Sequence, residues 1–292
     1  VKRVAVIGVP GGWSSEGLAD ALAEISGFRA LVDLAKVRLD LSTGQAYYQD
    51  LELNSLDGLA VKKVGRAYSP KLLDRLEILR VVAQSGVRIF SPPESIVRVL
   101  NRLSCTVSLK LAGMPIPPTV VTENPEQAAR AVESFGQAVL KPLFTSKARG
   151  MLVLEAGPTL REDIENYQAY GNDLIFIQKL LDLPGQDLGL VFMGGKYLTT
   201  YARVGREGAW NTTTASGGRY QPYQPAPEVI ELARRAQQIF NLDFTCVDVA
   251  ETSDGPVIFE VSAFGGFRGL KEGCGLDAAR LYADYIMDQL ER

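Results

Sequence analysis

The chain has 292 residues, 46% hydrophobic and 22% charged, which at roughly 100–200 residues per domain gives room for two domains or three small ones. A net charge of −3 and a pI near 5.3 offer no general basic field to nucleic acid, and no apolar run approaches the roughly 18 residues of a membrane span. The absence of histidine excludes Ser-His-Asp and Cys-His catalysis and the usual zinc sites, leaving proton transfer to carboxylates, Lys, Tyr, Cys or the substrate itself.

Arg3 to Val9 is a near-continuous apolar run, the pattern of a strand buried on both faces. It is too short, before Pro10-Gly11-Gly12, to be a signal peptide. Ser14 or Ser15 is placed to cap a helix with Leu18, Leu22 and Ile25 on its apolar side and Gly27 at its end. Strand, glycine turn and helix open a βαβ unit. Ser69-Pro70 reads as the N-cap and first residue of a second helix, carrying Leu72, Leu76, Leu79 and Val82 and ended by Gly86. A short strand over 87–90 follows, and Pro92-Pro93 closes an N-terminal α/β domain of residues 1–93.

A helical stretch over 95–112, interrupted near Asn101, ends at Gly113, and Met114–Pro118 forms a rigid connector. The pattern then predicts a strand at 119–122, a helix from Asn124-Pro125 to Phe135, strands at 138–142 and 151–155 around a polar loop, and a strand at 174–178. Thr159 and Glu162 have capping-box spacing for the helix before that last strand. Residues 94–180 are thus a small α+β unit, and residues 181–292 form a third. The latter is read as a hairpin around Gly194-Gly195, a helix over 228–240, strands at 244–250 and 256–262, and a helix over 276–290. Cys105, Cys246 and Cys274 are far apart and odd in number, so they read as packing thiols in a reducing cytoplasm.

The strands joined by Ser253-Asp254-Gly255 carry the best chemical constellation. A three-residue turn centred on Asp254 would pair residues whose numbers sum to 508, setting Asp248 opposite Glu260. Val247, Val249, Val257, Phe259 and Val261 would face the core, leaving the two carboxylates together on the other face. Like charges so placed repel, and a divalent cation with oxygen ligands, Mg²⁺ or Mn²⁺, would relieve them. Two solvated carboxylates fit the pattern as well. Lys141 sits where a strand leaves the sheet, before a loop of hydroxyls, cations and glycine suited to covering phosphates, Thr145 to Gly150. A plain solvated basic loop is the alternative. The Gly8–Gly12 turn lacks the GxGxxG spacing of a dinucleotide site.

Three segments in chain order, KPLFTSKARGM (141–151), WNTTTASGG (210–218) and CVDVA…FEVSAFGGFRGL (246–270), resemble the ATP-grasp superfamily, in its RimK-like branch of glutamate ligases. The KPLF-x-S form and the Gly-Phe-Arg-Gly-Leu ending resemble ligases that add glutamate to tetrahydromethanopterin or F420-type cofactors. The resemblance implies an ATP-grasp fold with an α/β N-terminal domain, a central α+β subdomain and a C-terminal antiparallel sheet, with ATP between the last two. It also implies ATP- and Mg-dependent carboxylate–amine ligation through an acyl phosphate. The substrates would be a small-molecule or peptide carboxylate and an amine such as an amino acid, with no nucleic acid or membrane partner.

Carried over residue by residue, Lys141, Ser146 and Arg149 would contact phosphates; Gln178, Lys179, Leu180 and Leu181 would line the adenine, with Asp187 soon after; and Asp248, Glu260 and Ser262 would fall on the metal positions. Arg203 would lie near the transferred phosphate. Arg268, from the position of its glycine turn, is read as joining Arg203 in holding a substrate carboxylate. Arg102 stands where the family has a second phosphate lysine, Ser262 where it has a liganding asparagine, Thr213 where it has another asparagine, and Gly189 where a D-x-R arginine is common. These departures leave open one metal or two. They also leave open a nucleotide-binding regulatory subunit without ligase activity, and the oligomeric state.

Overall fold

The computed structural model describes residues 2–206 and 208–292; Val1, and Glu207 in the polar stretch after the hairpin, lie outside them. The N-terminal part comprises β1 (Val4–Ile7), α1 (Trp13–Ser26), β2 (Leu31–Val32), β3 (Val37–Asp40), β4 (Gln45–Tyr48), β5 (Leu51–Glu52), β6 (Gly58–Val61), α2 (Lys71–Gln84) and β7 (Arg88–Phe90). β1 and β6 are buried along their whole length, as a continuous apolar run requires, and lie inside a parallel sheet of order β2-β1-β6-β7. β3, β4 and β5 form a separate antiparallel meander. Two helices follow, α3 (Pro93–Leu100) and α4 (Arg102–Leu111), broken at Asn101, whose side chain accepts from Ser104 N–H and caps the second.

The next unit holds β8 (Thr119–Thr122), α5 (Pro125–Phe135), β9 (Gln137–Leu140), β10 (Leu152–Glu155), α6 (Leu160–Ala169) and β11 (Ile175–Lys179), in a sheet of order β10-β9-β11-β8. The last contains β12 (Gln186–Met193), β13 (Lys196–Val204), β14 (Arg219–Pro222), α7 (Pro227–Gln238), β15 (Phe244–Thr252), β16 (Gly255–Ser262), α8 (Phe267–Cys274) and α9 (Ala278–Glu291). Its antiparallel sheet runs β14-β13-β12-β15-β16. The expected α/β, α+β and antiparallel parts are therefore all present.

Three local expectations fail. Ser69 does not cap α2; Pro70 stands at the N-cap, with no side-chain capping bond, and the helix begins at Lys71. Neither Ser14 nor Ser15 caps α1; Gly12 precedes it, and Ser15 is instead buried with its hydroxyl accepting from Val9 N–H at 3.1 Å. Thr159 makes no capping bond, because its hydroxyl donates to Asp163.

Three apolar clusters organise the chain. One runs from β6 and α2 through Ile96, Val99, Leu100, Cys105 and Leu109 to Val247, Val249, Ile258 and Val261. A second joins α1 to α9 and to Tyr201, Phe244 and Phe267. The third is confined to the unit between Thr119 and Lys179, built on Ala128, Val132, Leu140, Ile164 and Ile177. That unit thus has its own core, while the first and last parts share theirs. The Met114–Pro118 connector is tied to the edge of the last sheet, where Ile258 N–H donates to the Pro115 carbonyl at 2.8 Å.

Within the second cluster Tyr201 lies flat across β12. Gly189 and Gly269 make room for it: a Cβ at Gly189 would stand 2.6 Å from the tyrosine oxygen, and one at Gly269 would stand 2.6 Å from its Cδ1 and nearer still to the rest of that ring edge. The Tyr201 hydroxyl meets the Cys246 sulfur at 3.3 Å. Gly189→Ala should therefore destabilise the protein by about 1–3 kcal/mol, the usual range for an overpacked core. In urea denaturation, adding Tyr201→Ala to it should cost less than the two single effects summed.

Candidate active site

The hairpin of β15 and β16 does set Asp248 opposite Glu260, but by a different route from the one the spacing suggests. The turn is the shorter one, with Thr252 paired to Gly255, and this register alone would bring Phe259 opposite Asp248. A bulge between Asp248 and Val249 takes up one extra residue on β16 and restores the carboxylate pair. The bulge also changes the faces. Ile258 joins Val261 in the core, while Phe259 leaves it and lies under the Lys141 ammonium, 5.2 Å from the ring centroid.

Each carboxylate is answered by a different arginine. Arg203 lies opposite Asp187 in the β12–β13 pair, and its guanidinium bridges Asp187 and Asp248, the latter at 3.1 Å. Asp187 also accepts from the Thr212 hydroxyl. Arg102 opens α4 and donates to Glu260 at 3.0 Å and to the Pro142 carbonyl at 3.1 Å, with its side chain only 8% exposed. Its backbone N–H holds the Leu143 carbonyl, so one residue ties the start of the 144–150 loop to the carboxylates. Lys141 donates to the Gln178 side-chain oxygen, and the Gln178 amide donates to Thr119 at 3.1 Å.

The row is electrostatically tense. Burial pushes the Asp248 carboxyl up to about 6; Arg203 opposes the shift, and the Asp187 and Glu260 charges add to it. Burial, reinforced by Arg102, pushes the Lys141 ammonium down to about 7 against the pull of Glu260 and Asp187. Each group is thus poised to gain from a ligand of opposite charge.

A small cavity opens beside Glu260, lined by Tyr68, Arg102, Thr145 and Ser262. The Thr145 hydroxyl is buried there without a partner in the described structure, so the cavity can take a polar guest. Asp248 and Glu260 supply the all-oxygen donor set that suits a hard divalent cation. Ser262 suits it less well than its position implies. Its hydroxyl oxygen already accepts from Phe264 N–H at 3.3 Å and Gly265 N–H at 3.0 Å, which occupies both lone pairs and leaves a proton to donate. Among the described residues no group of three His, Cys, Asp or Glu is arranged as a metal cage.

The remaining predicted residues divide. Ser146 and Arg149 bond to each other, guanidinium to hydroxyl at 3.1 Å, across a turn in which Lys147 and Ala148 have φ of 60° and 55°. Lys179, Leu180 and Leu181 end β11 and begin the link to β12, with Leu180 N–H held by the Gln137 carbonyl at 3.0 Å. Arg268 is exposed on α8 and pairs with Glu272 at 3.4 Å, whereas Arg203 is committed to its two aspartates. Tyr68 escapes the sequence reading, because nothing local distinguishes it; only the fold brings it to Glu260. Lys62 escapes too, although a lysine directly after a buried parallel strand stands where α/β sheets bind ligands.

The sequence matches the RimK-like ATP-grasp domain family over residues 99–286. It is 26% identical to a tetrahydromethanopterin:alpha-L-glutamate ligase of Methanosarcina acetivorans, over 99% of this chain and 100% of the relative. A ligase of the same name from Methanocaldococcus jannaschii is also 26% identical, over 77% of each chain. Among solved structures, the ATP-grasp ligase PsnB complexed with a precursor variant, Mg and ADP superposes with a TM-score of 0.77 at 18% identity, covering 99% of both chains. A RimK domain ATP-grasp protein from Sphaerobacter thermophilus superposes at 0.75 with 24% identity, over 97% of this chain and 98% of that one. The shared fold is ATP-grasp.

Two outcomes follow from the electrostatics. The Asp248 carboxyl lies above its unfolded value of 3.8, so its contribution to stability is present below about pH 4 and is lost as pH rises to about 6. Asp248→Asn should therefore raise the melting temperature of the ligand-free protein at pH 7 relative to wild type and leave it nearly unchanged at pH 4. If Lys141 meets a phosphate, its ammonium returns toward the ordinary value, and nucleotide binding at pH 7.5 should take up a proton. Calorimetry in buffers of different ionisation enthalpy reads this uptake, and Lys141→Met should abolish it.

Proposed function

We propose that this chain, a member of the RimK-like ATP-grasp family of ATP-dependent carboxylate–amine ligases, joins an amino acid, glutamate first among them, through its amine to a carboxylate on a small molecule or peptide. The observation that carries the reading is the row Asp187–Arg203–Asp248–Glu260–Arg102 with Lys141 beside it, which offers cations to polyphosphate oxygens and two adjacent carboxylates to the divalent ion that accompanies them. The named relatives ligate glutamate, which supports that amine.

In this reading ATP lies between the four-stranded and five-stranded sheets, with Gln178, Lys179, Leu180 and Leu181 lining the adenine. Lys141, Arg102 and the 146–149 turn face its phosphates. Asp248 and Glu260 would hold Mg²⁺, and Mn²⁺ would satisfy the same donors; when bound, the ion would supply charge neutralisation and polarise phosphate oxygens. An oxygen of the substrate carboxylate attacks the γ-phosphorus and ADP leaves. The amine then attacks the acyl carbon, and phosphate departs with the C–O electrons. With Asp248 given over to the ion, Arg203 would have one arm free for the transferred phosphate, while Asp187 keeps the guanidinium in place. Arg268, whose ion pair among the described residues is with an exposed helical neighbour, is placed to take a carboxylate.

Catalysis here is positioning and charge stabilisation, which suits a chain without histidine and with Cys105 and Cys246 buried as unreactive thiols. No helix among the described residues is long and apolar enough to cross a membrane, and the reduced thiols and ATP demand fit the cytoplasm. Release of ADP with Mg-ATP, a panel of carboxylate acceptors and amino acids should require both substrates, with a product mass equal to their sum less water. Hydroxylamine in place of the amino acid should trap the acyl phosphate as a hydroxamate. Nucleotide binding with no amine-dependent ADP release would instead assign a nucleotide-binding subunit.

A further inference from the structure

Lys62 follows β6 directly and is 2% exposed. Its ammonium donates to the Phe264 carbonyl at 2.7 Å and lies 4.0 Å from the Phe267 ring centroid and 6.0 Å from that of Phe244. No carboxylate stands among the charged groups acting on it in the described structure. A buried cation with one carbonyl and two ring faces for company is costly, and a methionine of similar length would fill the same slot with apolar contact. Packing therefore gives no reason for lysine here.

The bond it makes does. The Phe264 carbonyl and the Gly265 N–H belong to one rigid peptide plane. Lys62 holds the first, and the second donates to the Ser262 hydroxyl oxygen at 3.0 Å. The plane thus links a lysine of the N-terminal sheet to a serine in the cavity beside Glu260 and Arg102. With both lone pairs of Ser262 occupied, its hydroxyl proton is the valence left for a ligand.

We propose that Lys62 is a positioning residue for the phosphate site: by fixing the Phe264–Gly265 peptide plane it aims the Ser262 O–H at an oxygen of the terminal phosphate of ATP. The role rests on the ATP-binding part of the reading above and not on the identity of acceptor or amine. Ser262 on this account is a donor to the nucleotide, where the resemblance suggested a metal ligand.

The test measures affinity for Mg-AMPPNP and Mg-ADP by calorimetry on the full chain and on Lys62→Met, Lys62→Gln and Ser262→Ala. Lys62→Met should keep or raise the melting temperature, leave ADP affinity unchanged and weaken AMPPNP about tenfold, the scale of one hydrogen bond to a charged group. Ser262→Ala should show the same selective loss, and the double variant should lose no more than either single one. Lys62→Gln, which keeps a donor, serves if the methionine variant does not fold, and should fall between. Equal weakening of both nucleotides, a lowered melting temperature with unchanged AMPPNP affinity, or additive effects of the two positions would overturn the proposal. Because the readout is the γ-phosphate preference, it decides the role of Lys62 even if no amine is ever ligated. Wild-type protein that binds neither nucleotide would overturn the proposal together with the reading it rests on.

Discussion

Two carboxylates held opposite each other on neighbouring strands repel, and much of the molecule is arranged around that fact. Asp248 and Glu260 are not kept apart by register; a bulge is spent to bring them together. Arg203 reaches across from β13, already braced by Asp187, and Arg102 comes from a helix outside the sheet. Arg102 also holds the chain leaving β9 through the carbonyls of Pro142 and Leu143. The same side chain that quiets Glu260 therefore sets where the smaller sheet stands against the larger one. The residual tension remains visible in a carboxyl pushed up and an amine pushed down, both by burial.

What the sequence displays of this is the part that local chemistry controls. Asn124-Pro125 starts a helix because its cap and fixed φ act within four residues, and α5 begins there. Val4–Ile7 reads as a buried strand because every side chain in it is apolar. The meander of β3 to β5 is hidden because its strands are two to four residues long and mix Arg, Asp, Gln and Glu into the pattern. α8 is hidden for a different reason. Gly269 and Gly273 look like loop residues, yet they are helical where Tyr201 leaves no room for a side chain, so tertiary contact overrides propensity. The Asp248–Glu260 pair was legible although its cause was not: a two-residue turn and one bulge give the same partner as a three-residue turn. The difference surfaces in Ile258, which takes the core place expected for Val257 and Phe259. Ser262 shows the opposite limit, since its position is evident from the motif but the use of its lone pairs depends on a turn two residues later.

The distribution of cores bears on motion. The unit from β8 to β11 carries a complete apolar cluster of its own, and the chain enters it through the Met114–Pro118 connector and leaves it through residues 180–185. A rigid-body shift of that unit exposes little apolar surface, because its own core travels with it. The first and last parts cannot separate in the same way, since one cluster runs through both. A movement of the small sheet, with its Lys141 and Gln178, against the body that holds the carboxylates would therefore leave each apolar cluster intact.

The Tyr201 slot has a consequence for substitution. The ring is admitted by glycines on two separate elements, β12 and α8, and its hydroxyl ends on Cys246 of a third. None of these positions can change freely while the others stand. An arginine at 189 would have to displace the tyrosine, and a smaller residue at 201 would leave a void lined by glycine backbone. The three elements therefore form one packing unit around a single ring, in which a change at one position alters what the others can accept.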